Sequence, residues 1–170
     1  MQEPLHQTYQ DIAKEFVVGY TLKTDVWQET RDKYEAPIEA DQYVEILPHL
    51  VEIAQERGLN CTLGSITDLP YKDNVFDTVI DTSTIDHVPN YEDVLLEYKR
   101  VLKENGRLLL ITWVTTKETY KEGQDLAGGE QYYFNEDDFL QALQRHFDVK
   151  EVKTLQDAQT RKVMCYKCFI

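Results

Sequence analysis

The sequence predicts an α/β protein built on an open, mostly parallel β-sheet, and the stretch from 62 to 114 carries the main observations. Two short apolar runs, FDTVID at 76–81 and RLLLITWV at 107–114, have the composition of buried parallel strands. A helical pattern with acidic residues first and basic residues last separates them. Strand, helix and strand in this order are typical of parallel strands joined by crossover helices.

Length and composition indicate one globular domain over residues 1–170. The chain is 42% hydrophobic and 29% charged, and a chain of this length buries about two-thirds of its unfolded surface. No apolar run approaches the ~20 residues of a transmembrane helix, and the N-terminal pattern is not that of a signal peptide. The net charge of −13 argues against nucleic-acid and membrane partners.

The three cysteines and four histidines do not have the spacing of a metal site. Cys165 and Cys168 form a CxxC pair in a predicted strand, where residues i and i+3 face opposite sides. The sequence has no second pair to complete a zinc site. We therefore expect free thiols, no bound metal and a reducing compartment, the cytoplasm.

The segment before 43 gives weaker signals. Residues 5–16 have the spacing of an amphipathic helix, and 26–36 are compatible with another. Between them, the apolar run FVV precedes Gly19 and fits a first strand with its turn. A short second strand fits 37–42.

A helix is predicted over 43–57, with Gly58 at the position of a C-cap glycine. Pro48 interrupts this pattern. The helix therefore either kinks there or begins near Leu47, with Pro48 in its first turn. A third strand is expected at 60–65.

Two asparagines precede the helical patterns of the C-terminal half. Asn90 is expected to cap a helix over 91–104, and Asn135 to cap one over 136–147. A glycine turn at Gly106 separates the first of these helices from the strand that follows.

Residues Lys117–Glu130 are polar, contain three glycines and show little periodicity. This pattern predicts a mobile loop over the sheet, and we take 117–134 as a candidate lid. Two closing strands, 148–155 and 161–170, have no helix between them and are expected to pair antiparallel at the sheet edge.

The run LGSITDLPYKDNVFDTVIDTSTIDHV, together with RVLKENGRLLL after the next helix, resembles the class I S-adenosylmethionine-dependent methyltransferases. The similarity is greatest to the small-molecule group of quinone biosynthesis. It covers about 59–114 and continues loosely to the C-terminus. The resemblance implies a Rossmann-like sheet, S-adenosylmethionine as cofactor and a small-molecule substrate.

The family's glycine-rich motif is the main departure. In the family an acidic residue and Gly-x-Gly-x-Gly follow the first strand, and here only Gly19 remains. Either the first strand is present in degenerate form, or the sheet is trimmed there and residues 5–36 form a helical cap. The 22-residue interval between Gly19 and Asp41 fits the first alternative.

The resemblance implies that the cofactor is bound at the carboxyl ends of the strands. Asp41, or alternatively Glu39, would accept hydrogen bonds from the ribose hydroxyls. Ser65 stands where the family usually has an aspartate that reaches the adenine. The remaining implied contacts are Gly19 and Ile66, with Asp81 and Thr82 at the methionine part.

Candidate catalytic and substrate-binding residues follow the fourth strand. His87 is a candidate general base, and Asp81 is a candidate catalytic residue at the end of that strand. Trp113, Tyr132 and Tyr133 could line an apolar pocket or surround a sulfonium by cation–π attraction.

Three functions fit these features. The first is an S-adenosylmethionine-dependent methyltransferase acting on a small molecule. The second is a methyltransferase-like pseudoenzyme that has lost the cofactor and serves as a scaffold or regulatory partner, in a homodimer or with a partner protein. The third is a lyase or cyclase that reuses the pocket. The missing glycines favour the second, and Asp41 and the loop after the fourth strand favour the first.

Overall fold

The computed structural model describes residues 16–18, 42–124 and 130–170. The helix predicted for 26–36 and most of the one predicted for 5–16 lie outside these ranges. Within them the chain forms nine strands and three α-helices. The helices are α1 (Pro48–Glu56), α2 (Tyr91–Val101) and α3 (Glu136–His146). The strands are β1 (Phe16–Val18), β2 (Tyr43–Glu45), β3 (Cys61–Leu63), β4 (Phe76–Thr82), β5 (Leu102–Thr115), β6 (Tyr120–Gln124), β7 (Glu130–Asn135), β8 (Asp148–Ala158) and β9 (Arg161–Phe169).

The sheet is α/β and mixed, as the sequence predicts. Its first five strands are all parallel, in the order β3-β2-β1-β4-β5. Strand β9 pairs antiparallel with β5 and then with β8, which forms the antiparallel C-terminal edge. The β8–β9 register shifts after Val149 and again after Thr154. Because β1 pairs with both β2 and β4, the alternative without a first strand is wrong.

Strand β5 extends well beyond β4 at the carboxyl end. The last β4–β5 pair is Thr82 with Ile111, whereas β5 continues to Thr115. Strand β7 pairs in parallel with Val114 and Thr115, while β9 occupies the other edge of β5 up to Thr115. A strand has two hydrogen-bonding edges, so β7 lies on the β4 side and covers the end of β4.

The two faces of the sheet carry separate cores. One core packs against α2 and α3 and contains the completely buried Tyr98, Phe139 and Tyr166. The other packs against α1 and contains Val51 and Ala54. The described cysteines are free and buried, with Cys165 in the second core and Cys168 in the first. The prediction that the CxxC pair faces opposite sides is confirmed.

The helix predicted for 43–57 is wrong at its start. Tyr43, Val44 and Glu45 form the buried strand β2, and α1 begins at Pro48. Leu47 is the N-cap residue, so the alternative with Pro48 in the first turn is confirmed. The apolar spacing of residues 43–45 is compatible with either a helix or a strand. These residues form a strand because they pair with β1 on one side and β3 on the other.

The other boundaries differ less. Helix α2 ends at Val101 and β5 begins at Leu102, before the glycine turn that the sequence predicts. Asn135 caps α3 by accepting the backbone N–H groups of Asp137 and Asp138. Asn90 is the N-cap residue of α2, but its side chain makes no cap hydrogen bond.

The predicted mobile loop over 117–130 is instead a β-hairpin in its described part. Strands β6 and β7 pair antiparallel, with Tyr120 opposite Tyr133 and Lys121 opposite Tyr132. Residues 125–129 lie outside the described ranges. We call the two strands β6 (Tyr120–Gln124) and β7 (Glu130–Asn135) together the β6–β7 hairpin.

Arg100 on α2 fixes the loop between β3 and β4. Its guanidinium donates to both carboxylate oxygens of Glu97 and to the carbonyls of Leu69 and Tyr71. Glu97 in turn accepts the backbone N–H of Leu69 at 2.8 Å. The charged pair thus satisfies backbone groups of a loop that lacks regular pairing.

We predict that Arg100→Ala lowers the free energy of unfolding by about 2–3 kcal/mol, because charge-assisted hydrogen bonds and two loop carbonyls lose their donor. The measurement is urea unfolding followed by circular dichroism. The control is Lys103→Ala, which breaks the exposed pair with Asp77 and should cost less than about 1 kcal/mol. Equal losses in the two variants would contradict this assignment.

Candidate functional site

The candidate site lies at the carboxyl ends of the parallel strands. In the strand order β3-β2-β1-β4-β5 the connections reverse direction between β1 and β4. Ligands of open α/β sheets bind at such a switch point, outside the carboxyl ends of the strands. The candidate ligand-binding residues therefore lie at the carboxyl ends of β2, β3, β4 and β5.

Glu45 is the acidic residue at the end of β2. It is only 5% exposed, and its Oε1 accepts the backbone N–H groups of Ile46 at 2.8 Å and Leu47 at 3.0 Å. These two bonds fix the carboxylate at the start of α1. Glu45 therefore has the strand-end position that the sequence interpretation gave to Asp41.

The reason for choosing Asp41, or Glu39, does not hold, because the second strand ends at Glu45 and both residues precede that strand. The strand predicted for 37–42 lies outside the described residues except at its last position. Asp41, Glu39 and Gly19 all lie outside the described residues. Gly19 directly follows β1 in sequence, as predicted.

Exposed apolar side chains flank Glu45. Ile46 is 63% exposed and Leu63, the last residue of β3, is 51% exposed. Leu63 is also the sheet partner of Glu45. A carboxylate between two exposed apolar side chains suits a ligand with adjacent hydroxyl groups and a flat ring.

Ser65 and Ile66 follow β3 in a tight turn. The Ser65 hydroxyl lies 2.8 Å from that of Thr67 and accepts the Thr67 backbone N–H at 3.2 Å. Ser65 is partly exposed at this edge. The Ile66 side chain instead packs in the core against α2, so burial does not fit its predicted contact with an adenine ring.

Gly64 lets this turn approach the next loop closely. A Cβ at Gly64 would lie 2.7 Å from Cδ of Pro70, which is too close for any side chain. The Leu69-Pro70 loop therefore packs directly on the end of β3.

Asp81 is buried completely at the end of β4. Its Oδ1 accepts the backbone N–H of Thr84 at 2.9 Å, and its Oδ2 accepts that of Ile85 at 3.1 Å. The Tyr98 hydroxyl donates to Oδ2 at 2.6 Å. These contacts hold the loop after β4, which does not fit the predicted catalytic and cofactor contacts of Asp81.

Burial raises the pKa of Asp81 to about 7, although the hydrogen bonds from Tyr98, Thr84 and Ile85 lower it. The folded state therefore retains a proton that the unfolded state has already lost above pH ~4. By linkage, the contribution of this group to stability is greatest below that pH and is lost as pH rises through about 7.

Two residues after Asp81 have unusual environments. Ser83 has a φ of 60°, a left-handed conformation that is uncommon for a residue other than glycine. Its N–H donates to the Ile111 carbonyl at 2.7 Å. Thr82 has a buried Oγ1 without a hydrogen bond in the part of the chain that the structure describes, so it keeps an unused polar group at the predicted site.

His87 connects the loop after β4 to the β6–β7 hairpin. Its Nδ1 lies 2.8 Å from the Glu130 carbonyl, a contact in which the ring nitrogen donates. The Glu130 side chain pairs with Lys121 and accepts from the Tyr132 hydroxyl. These contacts give His87 a part in holding the hairpin, beside the general-base role predicted from sequence.

Asp86, next to His87, is also completely buried. Its Oδ2 accepts from Nε2 of Gln131 on β7 at 2.8 Å. Its Oδ1 makes no hydrogen bond among the described residues. Burial raises the pKa of Asp86, and the nearby His87, the Gln131 hydrogen bond and the backbone N–H groups of Asp86 and Trp113 lower it.

An aromatic cluster lies between β5 and the hairpin. Tyr133 stacks on Tyr120 with ring centroids 5.2 Å apart and meets Trp113 edge-on at 6.1 Å. The Arg161 guanidinium lies 4.5 Å from the Tyr133 ring centre and also pairs with Glu122. Tyr132 packs instead against the core on the α2 and α3 side of the sheet and stacks on Phe134. The structure thus places Trp113 and Tyr133 together and Tyr132 apart.

Three residues of this edge were missed by sequence reasoning. Glu45 lies within an apparently helical pattern, and only the break at Pro48 indicates that the strand ends nearby. Asp86 and Gln131 are 45 residues apart, so no local pattern connects them.

A family model described as a methyltransferase domain matches residues 14–110, more than half of the 170 residues. The chain belongs to the class I S-adenosylmethionine-dependent methyltransferases. The family resemblance and the Rossmann-like fold expected from it are thereby confirmed.

Two curated relatives illustrate how far the similarity extends. An uncharacterized protein of Methanocaldococcus jannaschii is 31% identical over 67 residues, which are 39% of this chain and 33% of that protein. The ubiquinone/menaquinone biosynthesis C-methyltransferase UbiE of Rickettsia akari is 36% identical over 64 residues, 38% of this chain and 26% of UbiE. The matched part of the methyltransferase chain thus spans a third or less of these relatives.

Solved structures confirm the fold over nearly the whole length. A Thermotoga maritima S-adenosylmethionine-dependent methyltransferase, a possible histamine N-methyltransferase, has a TM-score of 0.65 and 20% identity. The match covers 96% of this methyltransferase-family chain and 86% of that structure.

Two further features are absent from the described residues. They contain no group of three or more His, Cys, Asp or Glu side chains arranged to hold a metal ion. No helix in the same part of this methyltransferase chain has the length and apolar character to cross a membrane.

We predict that Tyr98→Phe destabilises the protein more at pH 8 than at pH 5. In the wild type the Tyr98 hydroxyl lowers the pKa of Asp81 by stabilising the ionised carboxylate. Removing the hydroxyl therefore destabilises this ionised form, which is present above about pH 7. We expect a loss of about 1–3 kcal/mol at pH 8, measured by urea unfolding at both pH values.

Tyr166→Phe is the matched control, because Tyr166 is equally buried and its hydroxyl makes no hydrogen bond to any described residue. This control should change stability little at either pH. A Tyr98→Phe loss that is the same at pH 5 and pH 8 would contradict the role given to Asp81.

Proposed function

We propose that this protein binds S-adenosylmethionine and transfers its methyl group to a small molecule. The observation that carries the proposal is the Glu45 carboxylate, held by two backbone N–H groups at the end of β2. Family membership supports the reaction class. The relatives' names, UbiE and a possible histamine N-methyltransferase, support a small substrate, as does the net charge of −13.

The residues present fit the nucleoside part of this cofactor. Glu45 would accept hydrogen bonds from the two ribose hydroxyls. Ile46 and Leu63 offer exposed apolar surface for the adenine ring. Ser65, partly exposed two residues after the end of β3, would offer its hydroxyl to the polar edge of that ring. Thr82, whose buried hydroxyl has no hydrogen bond from a described residue, would contact the methionine part.

The bound cofactor would supply an electrophilic methyl group on a sulfonium. The protein's own part in such a transfer is mainly to position the reactants and exclude water. Asp81 and Tyr98 fix the loop after β4, and the β6–β7 hairpin covers the end of β4. We therefore propose that the hairpin acts as the lid that the sequence interpretation assigned to 117–134.

A cytoplasmic location is part of the proposal. The described cysteines are free and buried, which supports a reducing compartment.

Calorimetric titration with S-adenosylmethionine and S-adenosylhomocysteine tests the proposal. We expect micromolar binding, weakened about tenfold or more by Glu45→Gln, because the amide is a poorer acceptor for two hydroxyls. Glu52→Gln, which changes an exposed residue of α1, is the matched control and should leave the affinity unchanged.

Asp41→Asn separates the two candidate acids. If Asp41→Asn and not Glu45→Gln abolishes binding, the ribose assignment is wrong although the function stands. Failure of both cofactors to bind at millimolar concentration would refute the methyltransferase proposal and favour a scaffold. If binding occurs, mass spectrometry of products distinguishes methyl transfer from a lyase or cyclase reaction.

A further inference from the structure

Unsatisfied buried oxygens are concentrated after β4. Within the described residues, Thr82, Thr84 and Asp86 each contain a buried side-chain oxygen without a hydrogen bond, and Thr112 on β5 contains another. Buried polar groups are nearly always paired, so an unpaired cluster requires an explanation. Three of these residues fall within five positions of the chain, at the edge where ligands of this fold bind.

Among these groups Asp86 most needs a hydrogen-bond donor, because burying an unpaired carboxylate costs more free energy than burying an unpaired hydroxyl. Gln131 satisfies one oxygen and fixes the orientation of the carboxylate. The other oxygen, Oδ1, is left without a bond from any described residue. A ligand group that donates a hydrogen bond would offset this cost.

The surroundings of Asp86 indicate what else such a ligand contains. Gln131, which bonds Asp86, and Tyr133 are two residues apart on β7, so their side chains lie on the same face of that strand. Tyr133 and the partly exposed Trp113 pack edge-on. An acceptor beside aromatic rings suits a planar molecule with a ring N–H or O–H group.

The charged groups around Asp86 do not favour an anionic ligand. Asp81, a second completely buried carboxylate, accepts the backbone N–H of Ile85, the residue before Asp86. His87 lies on the same turn. Arg161, the cation near Tyr133, is paired with Glu122.

Access to Asp86 involves the β6–β7 hairpin. Gln131 and Glu130 on β7 contact Asp86 and His87 through two hydrogen bonds of 2.8 Å. Gln131 is partly exposed while Asp86 is buried. Lifting of this hairpin from the loop after β4 would therefore open the carboxylate to a ligand, and its return would enclose the ligand.

We infer that Asp86 is the substrate-recognition residue of this protein, accepting a hydrogen bond from the ring N–H or O–H of a planar aromatic substrate, with Gln131 as its positioning residue. The inference rests on the proposed methyltransferase function. It adds to that function the substrate class and the group that selects it.

The test uses two matched pairs of probes, imidazole with 1-methylimidazole and phenol with anisole. Each pair differs by the loss of one hydrogen-bond donor. Affinities are measured by ligand-observed NMR titration, with the protein saturated with S-adenosylhomocysteine and also without it. In at least one pair we expect the donor-bearing member to bind about tenfold more tightly, the effect of one hydrogen bond.

Three variants complete the experiment. Asp86→Asn, which retains the shape but replaces the charged acceptor, should reduce the ratio within each pair to about one. Gln131→Leu should reduce it partly, because the carboxylate loses its orientation. Asp77→Asn changes an exposed carboxylate at the other end of β4 and should leave the ratio unchanged. Thermal unfolding verifies that all variants are folded.

The outcomes separate this inference from the proposed function. Three results would overturn the inference. They are an affinity ratio near one for both pairs in the wild type, an affinity ratio that persists in Asp86→Asn, and no binding of any probe at millimolar concentration. Binding of S-adenosylhomocysteine is measured independently and should be unchanged in Asp86→Asn. A wild-type protein that binds the cofactor but shows no preference in either pair, or a preference that persists in Asp86→Asn, therefore refutes only the role of Asp86.

Discussion

The limit of two hydrogen-bonding edges per strand governs this structure. Strand β5 extends past Thr82, where β4 ends, and its exposed edge would need a partner. The β6–β7 hairpin takes that edge at Val114 and Thr115 because β9 already occupies the other. A difference in strand length thus creates the cover over the ligand edge and brings β7 against Asp86, which is buried and bonds Gln131.

The acidic groups at this edge serve different purposes because their partners differ. Glu45 and Asp81 accept backbone N–H groups and fix the segments that follow β2 and β4. Asp81 is satisfied by three donors in addition to being buried, so it belongs to the scaffold. Asp86 is satisfied on one oxygen only within the described chain. A carboxylate oxygen without a described donor, rather than the residue type or the number of donors, distinguishes the acids available to a ligand from Asp81, both of whose oxygens accept hydrogen bonds.

The central sheet and the family could be predicted from sequence, because residues 59–114 contain long apolar runs that indicate strands without knowledge of distant partners. The start of α1 could not, since the residues from Tyr43 onward fit a helix by spacing and become a strand only through pairing with β1 and β3. Glu45 was not recognised as the acid at the end of β2 for the same reason. The hairpin was missed because its strands are polar, and Asp86 was missed because its burial depends on β7, far along the chain.

The edge strand β8 has consequences for the behaviour of the protein in concentrated solution. Two register shifts bend the strand, and Lys150 and Lys153 place charges along it. Bulges and lysines at an edge obstruct the addition of a strand from another molecule. Fibrillar assembly through this side of the sheet is therefore disfavoured, and the molecule carries protection against misassembly at the strand where an open sheet is otherwise most vulnerable.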